Sequence, residues 1–293
     1  MKHEKKEFFS QLLDILQSKD FATLLESFAH FYEDFKSHKI IINHAQDSVP
    51  CEEFSALNLC GSKSLSPRKI RRPKNASSLI ANAKILHSVA HIESSAIVLA
   101  LDAAYRFKNM PKEFYEDWLS VANEEISHFC LLNDILGEIG YKYGDFPTHN
   151  LLFDALQRTQ HDVSTRMGIV HRGLEAKGLD ANPFVQEKLL QSNLDIKPAI
   201  KRVFDTILRD EITHVSKGDK WWRFSLSQHY ADSIQSTAKS NQAPLPFVEL
   251  CAKFSDLRLL GKIPNLPARL SAGFNQAELQ SLQTLYAKSL RKM

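Results

Sequence analysis

Apolar residues recur at helical spacing along most of the chain. In residues 6–37 they fall at Phe9, Leu12, Leu13 and Leu16, then at Leu24, Leu25, Phe28, Phe31 and Phe35. The interruption near Ser18–Asp20 divides this stretch into two short amphipathic helices. From Ile40 to Asn75 the pattern dissolves. Pro50, Gly61, Pro67 and Pro73 punctuate a Ser- and Arg-rich stretch that reads as an extended arm. Long helical periods return over residues 77–228. Ser77 or Ser78 can cap the first of these helices, which runs to about Phe107, and Pro111 opens the second, which ends near Gly137 or Gly140. A Gly140–Pro147 turn leads to a third helix, from about Thr148 to Lys177. After Gly178 the pair Asn182–Pro183 restarts a helix, and Asp195 caps one that runs past Trp222. Residues 229–293 form a mixed tail with Pro244, Pro246, Pro264 and Pro267, closed by a helix from about Asn275 to Leu290.

The pattern therefore predicts an all-α protein built on an antiparallel four-helix bundle over residues 76–228. N-terminal helices and an arm (1–75) pack on it, and a C-terminal helical tail (229–293) extends it. At 293 residues, 43% apolar and 24% charged, the chain is long enough to bury a sizeable core. Its formal charge of +3 is too small to argue for nucleic acid or membrane binding.

The amino terminus, MKHEKKEFFSQLLDIL, carries charges inside its first turn and does not read as a signal peptide. No later stretch reads as the roughly 18–20 apolar residues of a membrane span. Cys51, Cys60, Cys130 and Cys251 are scattered and lack zinc-site spacing, so four free thiols in a reducing cytoplasm are expected.

Two Glu-x-x-His segments change the picture: Glu125 with His128, and Glu211 with His214. At i and i+3 on a helix, a carboxylate and an imidazole share a side and can grip one metal ion. Bundle di-iron sites combine two such motifs with one further Glu from each remaining helix, and Glu93 and Glu175 supply those.

Depth supports the grouping. Midway between Glu93 and Glu125 lies Asn109, inside the expected Phe107–Pro111 turn. Midway between Glu175 and Glu211 lies Asn193, inside the Ser192–Asp195 turn. Each hairpin thus brings its pair to one level.

Burial supports it again. Glu93 interrupts the stripe Leu86, Val89, Ala90, Ile97, Ala100, Ala104. Glu125 interrupts Phe114, Trp118, Val121, Ala122, Phe129, Leu132, and Glu211 interrupts Ile200, Phe204, Ile207, Leu208, Val215, Trp222. Buried carboxylates without a positive partner cost several kcal/mol, so a cation is implied. Glu175 sits at the edge of its stripe, and His161 and Asp162 rival it on the same helix without matching the depth. Glu124 and Asp210 read as solvated or supporting groups, and His87 and His91 as supporting or surface groups. For Tyr105, Tyr115 and Trp118 core packing is favoured over electron relay.

The runs His91–Glu93, Leu101–Phe107, Phe114–Trp118, Glu124–His128, Gly140–Phe146, Leu174–Asp180, Arg209–His214 and Ala268–Phe274 resemble an uncharacterised bacterial family of ferritin-like domains of unknown function. The resemblance covers about residues 66–275. More distantly, the ligand pattern is similar to di-iron hydroxylases acting on tRNA side groups or quinone precursors, and to rubrerythrins. This implies a ferritin-like bundle with a metal site at Glu93, Glu125, His128, Glu175, Glu211 and His214. Two Fe ions are the implied cofactor, with Mn as the substitute. The function expected is an oxygen- or peroxide-using oxidoreductase or hydroxylase of unspecified substrate; the alternative is non-catalytic metal binding or iron storage. The expected partners are a small-molecule substrate, dioxygen or peroxide and an electron donor of unspecified kind; a homodimer is compatible and a membrane is not expected. RNA docking on the basic run Arg68–Lys74 is not favoured over a solvated arm.

Overall fold

The computed structural model describes residues 6–44, 63–70, 73–193, 195–235 and 247–290. Cys51, Cys60, Arg71 and Arg72 lie outside them. The described chain is helical apart from one pair of two-residue strands, β1 (Lys6–Glu7) and β2 (Ile40–Ile41), which pair in parallel. It divides into two compact units, Met1–Gln157 and Arg158–Met293.

In the first unit, α1 (Phe8–Leu16) and α2 (Phe21–Lys36) form where two were predicted. Asp20 caps α2 by accepting from Thr23 N at 2.8 Å. Phe8 and Phe9 set their rings 5.2 and 5.8 Å from that of Tyr115, a core contact within the unit.

The long elements are α3 (Leu79–Arg106) and α4 (Lys112–Glu138). Ser78, rather than Ser77, caps α3 by accepting from Ala81 N at 3.3 Å. Asn109 makes the α3–α4 turn in the left-handed region at φ 62, a conformation Asn tolerates better than most side chains. The two helices pack antiparallel along their length. Among the described residues α3 is the one helix long and apolar enough to cross a membrane, contrary to the reading that no stretch qualified; most of it is buried inside the protein and interrupted by Glu93 and Asp102. The arm touches the unit at Leu65, whose N–H donates to Thr148 O at 2.8 Å. A short helix, α5 (Leu151–Arg158), spans the boundary at Gln157.

The second unit departs from the predicted helix boundaries. The third long helix does not run unbroken from Thr148 to Lys177: it stops at Arg158 and restarts as α6 (Val163–Arg166), capped by Asp162. A π-helical segment, Met167–Leu174, follows directly. Then α7 (Ala176–Leu190) passes through both Gly178 and Pro183, where a break and a restart had been predicted. Pro183 lacks the N–H that would reach Leu179 O; Asn265 Nδ2 donates to that carbonyl instead, at 3.2 Å. The stranded acceptor is satisfied from the tail, and the helix continues.

Helix α8 (Lys197–Gln235) folds back along the π-helical segment and α7. The tail contributes α9 (Phe247–Lys253), α10 (Leu266–Ser271) and α11 (Gln276–Leu290). Buried Asp180 ties it down, accepting from Arg269 Nε at 2.8 Å and Nη2 at 2.7 Å and from the N–H groups of Gly261 and Asn265.

Candidate metal centre

Each unit presents a carboxylate–imidazole group on a helical hairpin. In the first unit the Asn109 turn sets Glu93 of α3 opposite Glu125 and His128 of α4. All three are buried, at 3%, 0% and 1% exposure. Each offers a ligand atom within 4.8 Å of the others'. His128 Nδ1 stands 3.4 Å from Glu93 Oε2 and 3.4 Å from Glu125 Oε2.

The electrostatics of this group call for positive charge. Burial, and then the Glu125 carboxylate, push Glu93 well above the usual carboxylate range. Burial opposes a charge on His128, yet its hydrogen bonds to Glu125 and Glu93 prevail and push its pKa up to about 12. A divalent cation answers the same demand, and two carboxylates with one imidazole form a donor set suited to Fe or Mn. The group could hold a metal ion.

In the second unit Glu211 and His214 lie one turn apart on α8, 7% and 0% exposed. Glu175 follows the π-helical segment, where its N–H donates to Val170 O at 3.2 Å, five residues back. Its carboxylate takes a partner the sequence reading overlooked. His171 is fully buried, and its Nδ1 lies 2.8 Å from Glu175 Oε1. The signal was present as an i,i+4 His–Glu pair on an apolar stripe. Gly178, one turn beyond Glu175, faces α8: a Cβ there would meet Glu211 Oε2 at 4.0 Å.

The rival residues have other work. His161 is exposed, and Asp162 is committed to capping α6. Glu124 accepts from Ser120 Oγ at 3.1 Å and Asp210 from Arg209 Nε at 2.8 Å. His87 and His91 lie outside the ligand group, as read, but are buried rather than at the surface, and they anchor the loop after α4. His87 Nε2 accepts from Gly144 N at 3.0 Å, and His91 meets Tyr143 Oη at 2.9 Å and His149 O at 2.8 Å. Tyr105, Tyr115 and Trp118 are packed in the core. Of the thiols, Cys130 and Cys251 are free, the latter buried.

Residues 17–280 match the family model described as protein of unknown function (DUF455), a span that begins well before the 66–275 carried by the sequence resemblance. An uncharacterized protein of Haemophilus influenzae is 43% identical over 204 residues, which cover 67% of this chain and 66% of that relative. No solved structure matches the chain.

Proposed function

The chain belongs to this family of unknown function, and from its two carboxylate–imidazole groups we propose that it is a ferritin-like di-metal protein, an oxygen- or peroxide-using oxidoreductase. In this reading the hairpin α3–α4 and the hairpin formed by residues 163–190 with α8 are the halves of one four-helix bundle over residues 76–228. The ligands in this reading are Glu93, Glu125 and His128 of the first unit and Glu175, Glu211 and His214 of the second. The observation that carries the reading is the buried Glu93–Glu125–His128 group, whose ligand atoms lie within 4.8 Å of one another. The second Glu-x-x-His pair on α8 and the matched depths about Asn109 and Asn193 support extending it.

Four carboxylates and two imidazoles suit two Fe(II) ions, and Mn(II) tolerates the same donors. Bound there, the pair would supply electrons to an oxygen-based oxidant. The chain's own part is to hold and enclose. Each His would bind through one ring nitrogen, and the Glu side chains would bind through oxygen. The low exposure of Glu93, Glu125, His128 and His214 keeps bulk water from those donors. His171 orients Glu175 through its 2.8 Å contact and acts as a positioning residue.

The test is anaerobic loading with Fe(II), followed by dioxygen or peroxide and a record of oxidised iron against oxidant consumed. Oxidation of about two Fe per chain, absent from a Glu93→Ala variant, fits the reading. Accumulation of many irons per chain would turn it to storage.

A further inference from the structure

We propose that the C-terminal tail positions the metal centre: through Glu278 and Arg172 it holds the π-helical segment Met167–Leu174 in register and so fixes the bearing of Glu175. The inference rests on reading Glu175 as a metal ligand, and it makes Arg172 and Glu278 positioning residues of that site.

A π turn is rare, sits mostly inside α-helices and recurs at functional sites. Here it makes the Glu175 N–H donate to Val170 O, five residues back, where an α-helix would use His171 O. Relaxation of the segment to α-helix would turn Glu175 by about one residue step, roughly 100°, relative to α6. The register of the π turn is therefore the register of that carboxylate.

The tail grips the segment at three residues. Gly168 and Gly173 let it close in: a Cβ at 168 would stand 2.7 Å from Leu250 Cδ2, and one at 173 would stand 2.8 Å from Leu259 Cδ1. Between them Arg172, fully buried, puts its guanidinium 3.9 Å from the Phe247 ring centroid and 4.3 Å from that of Phe274. A buried guanidinium needs its charge matched. Asp219 of α8 accepts from Arg172 Nε at 2.6 Å, but it also accepts from Arg223 Nε at 2.8 Å, one carboxylate before two cations. Glu278 of α11 supplies the second carboxylate, its two oxygens accepting from Arg172 Nη2 at 3.1 and 3.0 Å. Glu278 is itself held, because the Asn275 N–H donates to its Oε2 at 3.1 Å and its own N–H donates to Asn275 Oδ1 at 2.9 Å. The residue that the tail clamps is thus the chain neighbour of His171, which meets Glu175 at 2.8 Å.

The experiment measures Mn(II) binding by calorimetry on the full chain carrying Glu278→Gln or Arg172→Lys, each alone and combined with Glu175→Ala. Circular dichroism first establishes that each variant is helical. Glu278→Gln keeps the size of the side chain and removes its charge, whereas Arg172→Lys keeps the charge and removes the planar fork. Each single variant should lower Mn(II) affinity by roughly tenfold, and neither should lower it further once Glu175 is alanine. A merely structural role would lower the urea midpoint and leave that affinity unchanged. Wild-type affinity in the folded single variants would overturn the proposal and leave the di-metal reading standing, and so would an equal loss in the Glu175→Ala background. No metal uptake by the wild type would overturn both.

Discussion

Gly218 of α8 lies against the backbone of His171: a Cβ at position 218 would stand 2.6 Å from the His171 carbonyl carbon and 2.7 Å from its oxygen. Four residues before Gly218 on the same helix is His214, so the close approach that positions one imidazole-bearing turn is made to the other. Backbone cannot yield as a flexible side chain would. Gly218→Ala should therefore cost about 1–3 kcal/mol of stability, read from the urea midpoint. Gly137→Ala, which meets nothing, should be neutral or slightly stabilising.

Arg172 secures the same π-helical segment to the tail. Its guanidinium is fully buried, donates to Asp219 Oδ1 at 2.6 Å and to Glu278 Oε2 at 3.0 Å, and lies 3.9 Å from the Phe247 ring centroid and 4.3 Å from that of Phe274. Arg172→Met removes the charge that both carboxylates face. It should lower stability by about 3–5 kcal/mol in chemical denaturation. Arg172→Lys keeps the charge but loses the planar fork and its stacking, and should recover only part of the loss.

His171 should matter for metal more than for folding. His171→Gln removes the imidazole that meets Glu175 at 2.8 Å, and Fe(II) or Mn(II) affinity at neutral pH should fall by roughly 10–100-fold. Isotherms identical to wild type would remove His171 from its positioning role.

Stability should also fall in acid through His87 of α3. Burial, and then the neighbouring His91, lower its pKa to about 4, and its Nε2 accepts from Gly144 N, a bond the protonated ring cannot make. Because the folded pKa lies below the unfolded value of about 6.5, the folded state binds fewer protons. The contribution is complete above pH 6.5 and is lost as pH falls toward 4, about 3 kcal/mol at most. A His87→Gln variant should show a flatter stability profile across that window.

Much of this was legible in residue spacing. The stripes around Glu93 and Glu125 announced α3, α4 and the burial of their acids, and the midpoint at Asn109 fell on a residue suited to positive φ. The second unit was harder because its local signals are overridden by distant partners. Gly178 and Pro183 ask for breaks, but Asn265 supplies the hydrogen bond that Pro183 forfeits, from more than eighty residues away. The π-helical turn left no trace in a three-and-four periodicity, and the His171–Glu175 pair, though visible as an i,i+4 spacing, went unread. The burial of His87 and His91 was hidden for a related reason: the loop they hold comes from beyond the next helix.

Metal content tests the di-metal centre most directly. Protein purified without added metal, beside a Glu125→Ala/Glu211→Ala double variant, would be assayed for Fe and Mn by elemental analysis and for helix content by circular dichroism. About two metal ions per wild-type chain, lost from a variant that stays helical, is the predicted result. A wild-type chain that carries none, and takes up neither Fe(II) nor Mn(II), would contradict it.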